Sequence, residues 1–244
     1  MGYFIDLFYV YVFVFYLFTY SYNVNEELPR QTNFNPNSDD QLPYKRASRL
    51  NEIKNTLLSL FILIMAPVIA ILLTVFVFQS YQVDGPSMET TLHNNDRLIV
   101  WKLPRTISKI TSNQYVPNRG DIIIFSEPGL GNFNEPDGSK QLVKRVIALP
   151  GERVVIKDGI VTVFNDEHPE GFEPDTTLPY GQETTIPFSS SEREEYVVGD
   201  TQIFVCGDNR TNSLDSRSFG PIETHQVVGK LVARIFPLGQ AEIF

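Results

Sequence analysis

The sequence predicts a mainly β protein, an all-β domain preceded by one or two transmembrane helices. Three observations predict it. Thr56–Phe78, TLLSLFILIMAPVIAILLTVFVF, carries no charge and exceeds the roughly 20 residues a helix needs to cross a hydrocarbon core. Beyond Leu92 the chain breaks into short β-branched runs divided by Gly, Pro, Asn and Asp, the pattern of strands and turns. Neither an internal repeat nor a long amphipathic helix stands out there, so the strands are expected to form a sandwich or barrel-like domain.

Taken in order, residues 1–22 hold an apolar, aromatic-rich run, Tyr3–Tyr20. It has no basic n-region and no small-residue cleavage site, so it does not read as a secretory signal peptide. A first membrane span is the favoured reading and an interfacial extension the other. Residues 23–55 are polar, with Pro29, Pro36 and Pro43, and read as a cytoplasmic loop. Residues 56–79 are the expected transmembrane helix. Pro67 is tolerable at its middle, because neighbouring groups or water can satisfy the freed carbonyl. A buried core helix is the competing reading, but such helices are seldom so long and apolar all round. Lys45, Arg46, Arg49 and Lys54 precede the span, and only Arg97 follows closely. The positive side stays in the cytoplasm, which puts residues 80–244 outside.

In that outer region the candidate strands are Arg97–Trp101, Asp121–Phe125, Leu142–Ala148, Arg153–Lys157, Ile160–Phe164, Gln202–Cys206 and Val227–Phe236. Asp158-Gly159 lies between two of them, and Asp-Gly is a favoured pair for a two-residue hairpin. An inserted excursion is expected around residues 153–198. Its most polar part is His168–Ser191, rich in Pro, Glu, Thr and Ser. The Gly-rich run Gly129–Gly138 does not fit a phosphate loop opening a helix and reads as a long hairpin loop.

Composition limits the function. The net charge is −9, and there is no basic cluster beyond the linker, which argues against a nucleic-acid partner. Cys206 is the single cysteine, so no intrachain disulfide can form. It reads as a small buried hydrophobe, with a nucleophilic role as the alternative. His93, His168 and His225 are scattered and lack metal-ligand spacing, so neither a metal nor another cofactor is expected.

Three stretches carry candidate chemistry. Ser87-Met88 follows a Gly85-Pro86 turn just past the span. A surface turn of this composition is common, and a nucleophile is the sharper reading. In LVKRVIALPGE, Leu142–Glu152, two cations stand in an apolar strand. Side chains alternate along a strand, so Lys144 shares a face with Val146 and Ala148, while Arg145 points oppositely. Such a lysine either snorkels at an edge or is buried. Burial disfavours the ammonium and lowers its pKa, and a neutral amine can act as the general base a serine needs. The third stretch, GDNRTNSLDSRSFGPI, Gly207–Ile222, is a turn followed by Ser213, Asp215 and Arg217. These could hold a buried lysine by hydrogen bonds and a charge pair, or form a solvated loop.

Ser-Met after a membrane segment, RLIV, GDIIIF, KRVIALPGE and GDNRTNSLDSR occur in the order and spacing of a known family. Over most of residues 79–244 the chain resembles the bacterial type I signal peptidases, or leader peptidases, and its anchors resemble those of the two-span members. The resemblance implies a membrane-anchored all-β catalytic domain with a signal-peptidase-like β-fold. It implies Ser87 as nucleophile and Lys144 as general base, with Ser213 orienting the lysine. Asp215 and Arg217 match a supporting ion pair, and Asp208 and Arg145 its neighbours. Tyr81, Val83, Met88 and Leu92 match pocket-lining positions, although core or membrane-contact roles suit each equally. Some members carry a serine two residues before the nucleophile, where its hydroxyl completes the oxyanion hole. Gly85 stands there here.

The reaction so implied is cleavage of signal peptides from exported preproteins through an acyl-enzyme, with small residues preferred at the first and third positions before the cut. The implied setting is the bacterial cytoplasmic membrane, with the catalytic domain on its outer side and the secretion translocon and lipid bilayer as neighbours. Two other readings compete. A self-cleaving repressor-type Ser-Lys protease would be expected to carry a DNA-binding module and no anchor. A non-catalytic membrane-tethered adaptor would have no need of Ser87, Lys144, Ser213 and Asp215 together.

Overall fold

The structure, a computed structural model, describes residues 41–131, 138–180 and 193–244, with side chains from residue 53 onward. Tyr3–Tyr20 and residues 23–40 of the expected loop lie outside the described residues. The chain divides into two units, Met1–Val75 and Phe76–Phe244.

Helix α1 runs Gln41–Phe76. It therefore begins inside the stretch that reads as linker. Pro43 falls in its first turn, where a missing N–H is no loss. Within it, Ile53–Phe76 is long and apolar enough to cross a membrane, with a mean hydropathy of 2.8. Its large side chains, Leu57 to Phe76, are mostly exposed, which a soluble core helix would not allow. The helix ends three residues short of the expected limit at Gln79. The uncharged run extends to Phe78 with Gln79 as its boundary, but strand pairing claims both.

The strands are β1 Phe78–Gln82, β2 Arg97–Trp101, β3 Ile122–Pro128, β4 Ser139–Ala148, β5 Arg153–Lys157, β6 Ile160–Phe164, β7 Glu194–Val197, β8 Gln202–Cys206, β9 Ile222–Glu223, β10 Val227–Phe236 and β11 Glu242–Ile243. Every one of the seven sequence-derived runs forms a strand. One antiparallel sheet has the order β1-β2-β10-β3-β4-β8-β9, with β11 on β10; β6-β5-β7 form a second sheet. Asp158 and Gly159 both take positive φ, 52° and 79°, as the tight β5–β6 hairpin requires. Gly129 and Gly131 both donate to the Gly138 carbonyl, which closes the β3–β4 hairpin.

Short helices α2 Leu103–Thr111, α3 Pro174–Thr177 and α4 Ser216–Phe219 fill the connections. Three apolar clusters form the core. One lies between β4, β8 and the second sheet, and Cys206 belongs to it. The second joins Ile123, Phe125, Val146, Ile203 and Val205. The third packs Val83, Met88, Leu92, Leu98, Ile122 and Leu231 beneath the turn that carries Ser87.

Candidate active site

Ser87 stands on the connection from β1 to β2. Gly85 takes φ +101°, a region that L side chains rarely adopt, and its N–H donates to Asn94 Oδ1 at 3.0 Å. Met88 and Leu92 are fully buried under the same turn. Leu92 N–H donates to Met88 O at 2.8 Å. Arg234, from β10, donates to Thr91 O at 2.8 Å and to Asp96 at 3.3 Å. The turn is thus plugged into the core from below and tied to the central sheet, which leaves Ser87 half-buried on its upper side.

Lys144 stands on β4 opposite Ile123 and is 2% exposed. Its Nζ is hydrogen-bonded to Ser87 Oγ at 2.7 Å and donates to Val143 O at 2.9 Å. Among the described residues no carboxylate is bonded to it. Burial is the largest influence and lowers the amine to about 8; Asp215 and Asp208, acting at a distance, oppose that shift without cancelling it. The amine is therefore neutral in about a tenth of molecules at pH 7 and in half of them near pH 8, in contact with a hydroxyl.

Arg145, the next residue, is placed quite differently. It grips the fully buried Asp208 with two bonds, 2.8 Å from Nε and 2.6 Å from Nη2. Thr91 Oγ1 donates to the same carboxylate at 2.5 Å. Arg145 also donates to Gly120 O and lies over the Tyr180 ring. Asp215, equally buried, is gripped by Arg217 through Nε and Nη2, both at 2.8 Å. Burial alone would raise its carboxyl; the Arg217 fork and the Gly207 N–H outweigh that and hold it below the usual carboxylate range.

Gly207 is the hinge between these parts. A Cβ there would lie 2.3 Å from Ser87 O and 2.3 Å from Ser213 Oγ, so only glycine permits the approach. Asn209 N–H then donates to Ser87 O at 3.1 Å, and its side chain to Pro86 O at 3.1 Å. The GDNR turn thereby clamps the serine turn. Ser213 does not make the bond expected of it. Its hydroxyl is buried beside the Asp215 carboxylate but has no hydrogen bond of good geometry, and the bonds of Lys144 go to Ser87 and Val143.

A cleft of about 610 Å³ opens in front of Ser87 and Lys144. Tyr81 and Val83 line it, together with Leu98, Ile124, Leu142 and Val143. Met88 and Leu92, which matched pocket-lining positions, do not. Neighbouring residues in a tight turn point opposite ways, so Ser87 faces the cleft and its neighbour the core. Cys206 is fully buried, and burial raises its thiol well above the usual range. It stays protonated and is a core residue, not a nucleophile.

Some supports were not singled out in the sequence. Asp175 on α3 pairs with Arg210 of the GDNR turn, and Tyr180 backs Arg145, so these two residues brace the site. Glu152 accepts from Leu149 N–H, Asn165 and Arg119 and fixes the turn after β4. Acidic residues in a Pro-rich, polar stretch give no local sign of such roles. The repeated charge in PGE and GDNR was the available hint.

The arrangement sets a serine hydroxyl against a buried lysine of lowered pKa at the edge of a cleft with several apolar walls. A family model described as signal peptidase, peptidase S26, matches residues 54–236, and the chain belongs to that family. The protein named "Probable signal peptidase I-1" from Synechocystis sp. is 34% identical over 181 residues, 72% of this chain and 80% of that one. The signal peptidase I of Bacillus caldolyticus is 36% identical over 174 residues, 69% and 85% of the two chains. A crystal structure of a signal peptidase I from Enterococcus faecalis V583 aligns with a TM-score of 0.34 at 26% identity, over 49% of this chain and 100% of that one. The chain is accordingly a hydrolase, a serine endopeptidase of a membrane-associated family whose general mechanism uses a Ser-Lys dyad.

Proposed function

We propose that Ser87 and Lys144 are the dyad with which this signal peptidase removes signal peptides from exported preproteins. The 2.7 Å bond between Ser87 Oγ and a buried lysine that has no carboxylate partner among the described residues carries this reading. Lys144 takes the hydroxyl proton as Ser87 attacks the peptide carbonyl, then returns it to the leaving amine. Water, activated by the same amine, releases the acyl-enzyme. The Ser87 N–H is one oxyanion donor. Gly85, with its positive φ, favours a second backbone or water donor over a serine hydroxyl at that position. Ser213 orients the amine once it is protonated, when an ammonium needs a further acceptor. Asp208, Arg145, Asp215 and Arg217 keep β4 and the clamp in register. The cleft walls, with Tyr81 and Val83 among them, seat the small side chains before the cut.

The apolar run Ile53–Phe76 is the anchor, and Lys45, Arg46, Arg49 and Lys54 keep its amino end in the cytoplasm. Residues 80–244 then work on the outer side of the bacterial cytoplasmic membrane, next to lipid and near the secretion translocon. A cut site just past a membrane suits a serine just past a membrane. Cleavage of a preprotein by purified protein tests the chemistry: Ser87→Ala should abolish it in a protein that stays folded. Retained cleavage would assign the nucleophile elsewhere. Protease shaving of intact cells tests the topology, and protection of the C-terminal domain from external protease would reverse it.

A further inference from the structure

The cleft in front of Ser87 is walled mostly by uncharged side chains. Among the described residues that line it, Lys144 apart, two carry a charge, Asp84 and Lys140. Asp84 stands at the catalytic end, just before Gly85. Lys140 stands at the other end, near the start of β4. The dyad and its supports make no use of this cation. It is exposed, and among the described residues no carboxylate is ion-paired with it. The acid directly opposite on β3, Glu127, accepts instead from Gln226 Nε2 at 3.0 Å. A lysine on a surface is ordinary. An unpaired lysine on the wall of a substrate cleft, in a chain of net charge −9, sets the sign of that wall.

Strand geometry limits what this cation can meet. β4 pairs with β3 from Ser139 to Arg145, but with β8 only from Arg145 onward. Among the described residues no strand takes the other edge of β4 before Arg145, and that stretch lines the cleft. An open edge suits an extended peptide. Past Arg145 the edge belongs to β8, and the turn after β8 holds Ser87 O through the Asn209 N–H. The long arm of the cleft therefore lies on the Ser139 side of the dyad, and it receives the residues before the cut. Lys140, Leu142 and Lys144 alternate onto one face of β4, and all three line the cleft. A strand laid beside them alternates with the same period. With the first residue before the cut at Lys144 and the third at Leu142, the fifth falls at Lys140, about 13 Å along the strand at about 3.3 Å per residue. The charge is felt along that line, for Lys140 is one of the groups that lower the Lys144 amine.

We propose that Lys140 reads the charge of the fifth residue before the cut, favouring an acidic side chain there and disfavouring a basic one. The inference rests on Ser87 and Lys144 being the dyad of a peptidase that lays its substrate along β4. Its consequence is a selection that is electrostatic and graded, beside the steric one that the apolar walls impose on the small residues nearer the cut.

The test gives the full-length protein, in detergent, three peptides with small residues at the first and third positions before the cut. They differ only at the fifth, which is Glu, Gln or Lys. kcat/KM is expected to fall in that order, with about fivefold between Glu and Lys at low ionic strength, the scale of an exposed ion pair against an exposed like-charge contact. In about 1 M salt, where screening acts within about 3 Å, the spread should close. Lys140→Glu should reverse the order, and the milder Lys140→Gln should level it. Equal rates for the three peptides in the wild type, or an order that neither variant changes, overturns the proposal and leaves the dyad standing. So does a preference found only at the fifth residue after the cut, which would lay the substrate along β4 in the opposite direction. Cleavage of none of the peptides by the wild type, or cleavage that survives Ser87→Ala, overturns the dyad, and this assignment with it.

Discussion

Lys144 and Arg145 are adjacent in β4 and equally buried, yet they are treated oppositely. The guanidinium of Arg145 is satisfied by two bonds to Asp208, a backbone carbonyl and an aromatic face. The amine of Lys144 has one hydroxyl and one carbonyl. A buried charge that is fully paired is inert scaffold. A buried charge left short of partners sheds its proton easily and becomes a base. The strand supplies both from one dipeptide, because alternation sends the two side chains to different surroundings.

The difference can be broken first at Lys144. Lys144→Met should lower kcat/KM by about 10²–10⁴-fold, the usual worth of a general base, measured on a peptide substrate. The same change should stabilise the fold at pH 7, by on the order of 1–3 kcal/mol, since it removes a buried and poorly compensated ammonium. The sign can be checked in the wild type. Lys144 has a folded pKa near 8 and an unfolded one near 10.4. Between those values the unfolded chain binds more protons, so stability rises with pH across that window. Denaturant titrations in detergent at pH 7 and 10 read both effects.

Asp208→Asn attacks the other partner. It leaves Arg145 buried without its counter-charge and should destabilise by about 3–5 kcal/mol. The melting temperature should fall well before the pH dependence of the surviving activity changes. Gly207→Ala should cost about 1–3 kcal/mol through overpacking. It should also depress turnover, because its methyl group meets Ser87 O and Ser213 Oγ. The smallest effect belongs to Ser213→Ala. Its hydroxyl lies beside the Asp215 carboxylate but makes no hydrogen bond of good geometry among the described residues, so stability should stay within about 1 kcal/mol, while kcat falls more than KM rises. A large loss of stability would place Ser213 in the scaffold instead.

Much of this was legible in the sequence. Ser87, Lys144, Asp208, Asp215 and Arg217 occur in motifs whose order carried the family resemblance, and the structure brings them together. The seven strands were visible because β-branched runs alternate with turn residues. Four short strands were not: β1 is polar and hidden behind the span, and β9 and β11 have two residues each. β7, Glu194–Val197, is mostly polar and holds its place only through pairing with β5. Helix α2 escaped notice because it is short and its apolar face does not pack. Met88 and Leu92 show a further limit. Family position and hydrophobicity suit a pocket wall and a core plug alike, and only the direction of the turn separates them. The roles of Asp175 and Glu152 depend on partners 35 and 33 residues away, which local pattern cannot reveal.

The central claim is that Lys144 acts as a neutral base because burial lowers its pKa. The dependence of kcat/KM on pH, from 5 to 11, tests it most directly, using a peptide with small residues at the first and third positions before the cut. Below about 8 the amine holds its proton and cannot take another from Ser87; above it the amine is free. The rate should rise through a midpoint near pH 8 and then level. A rate still climbing past pH 10, as an unperturbed lysine would give, or one that falls from pH 5 upward, would contradict the account.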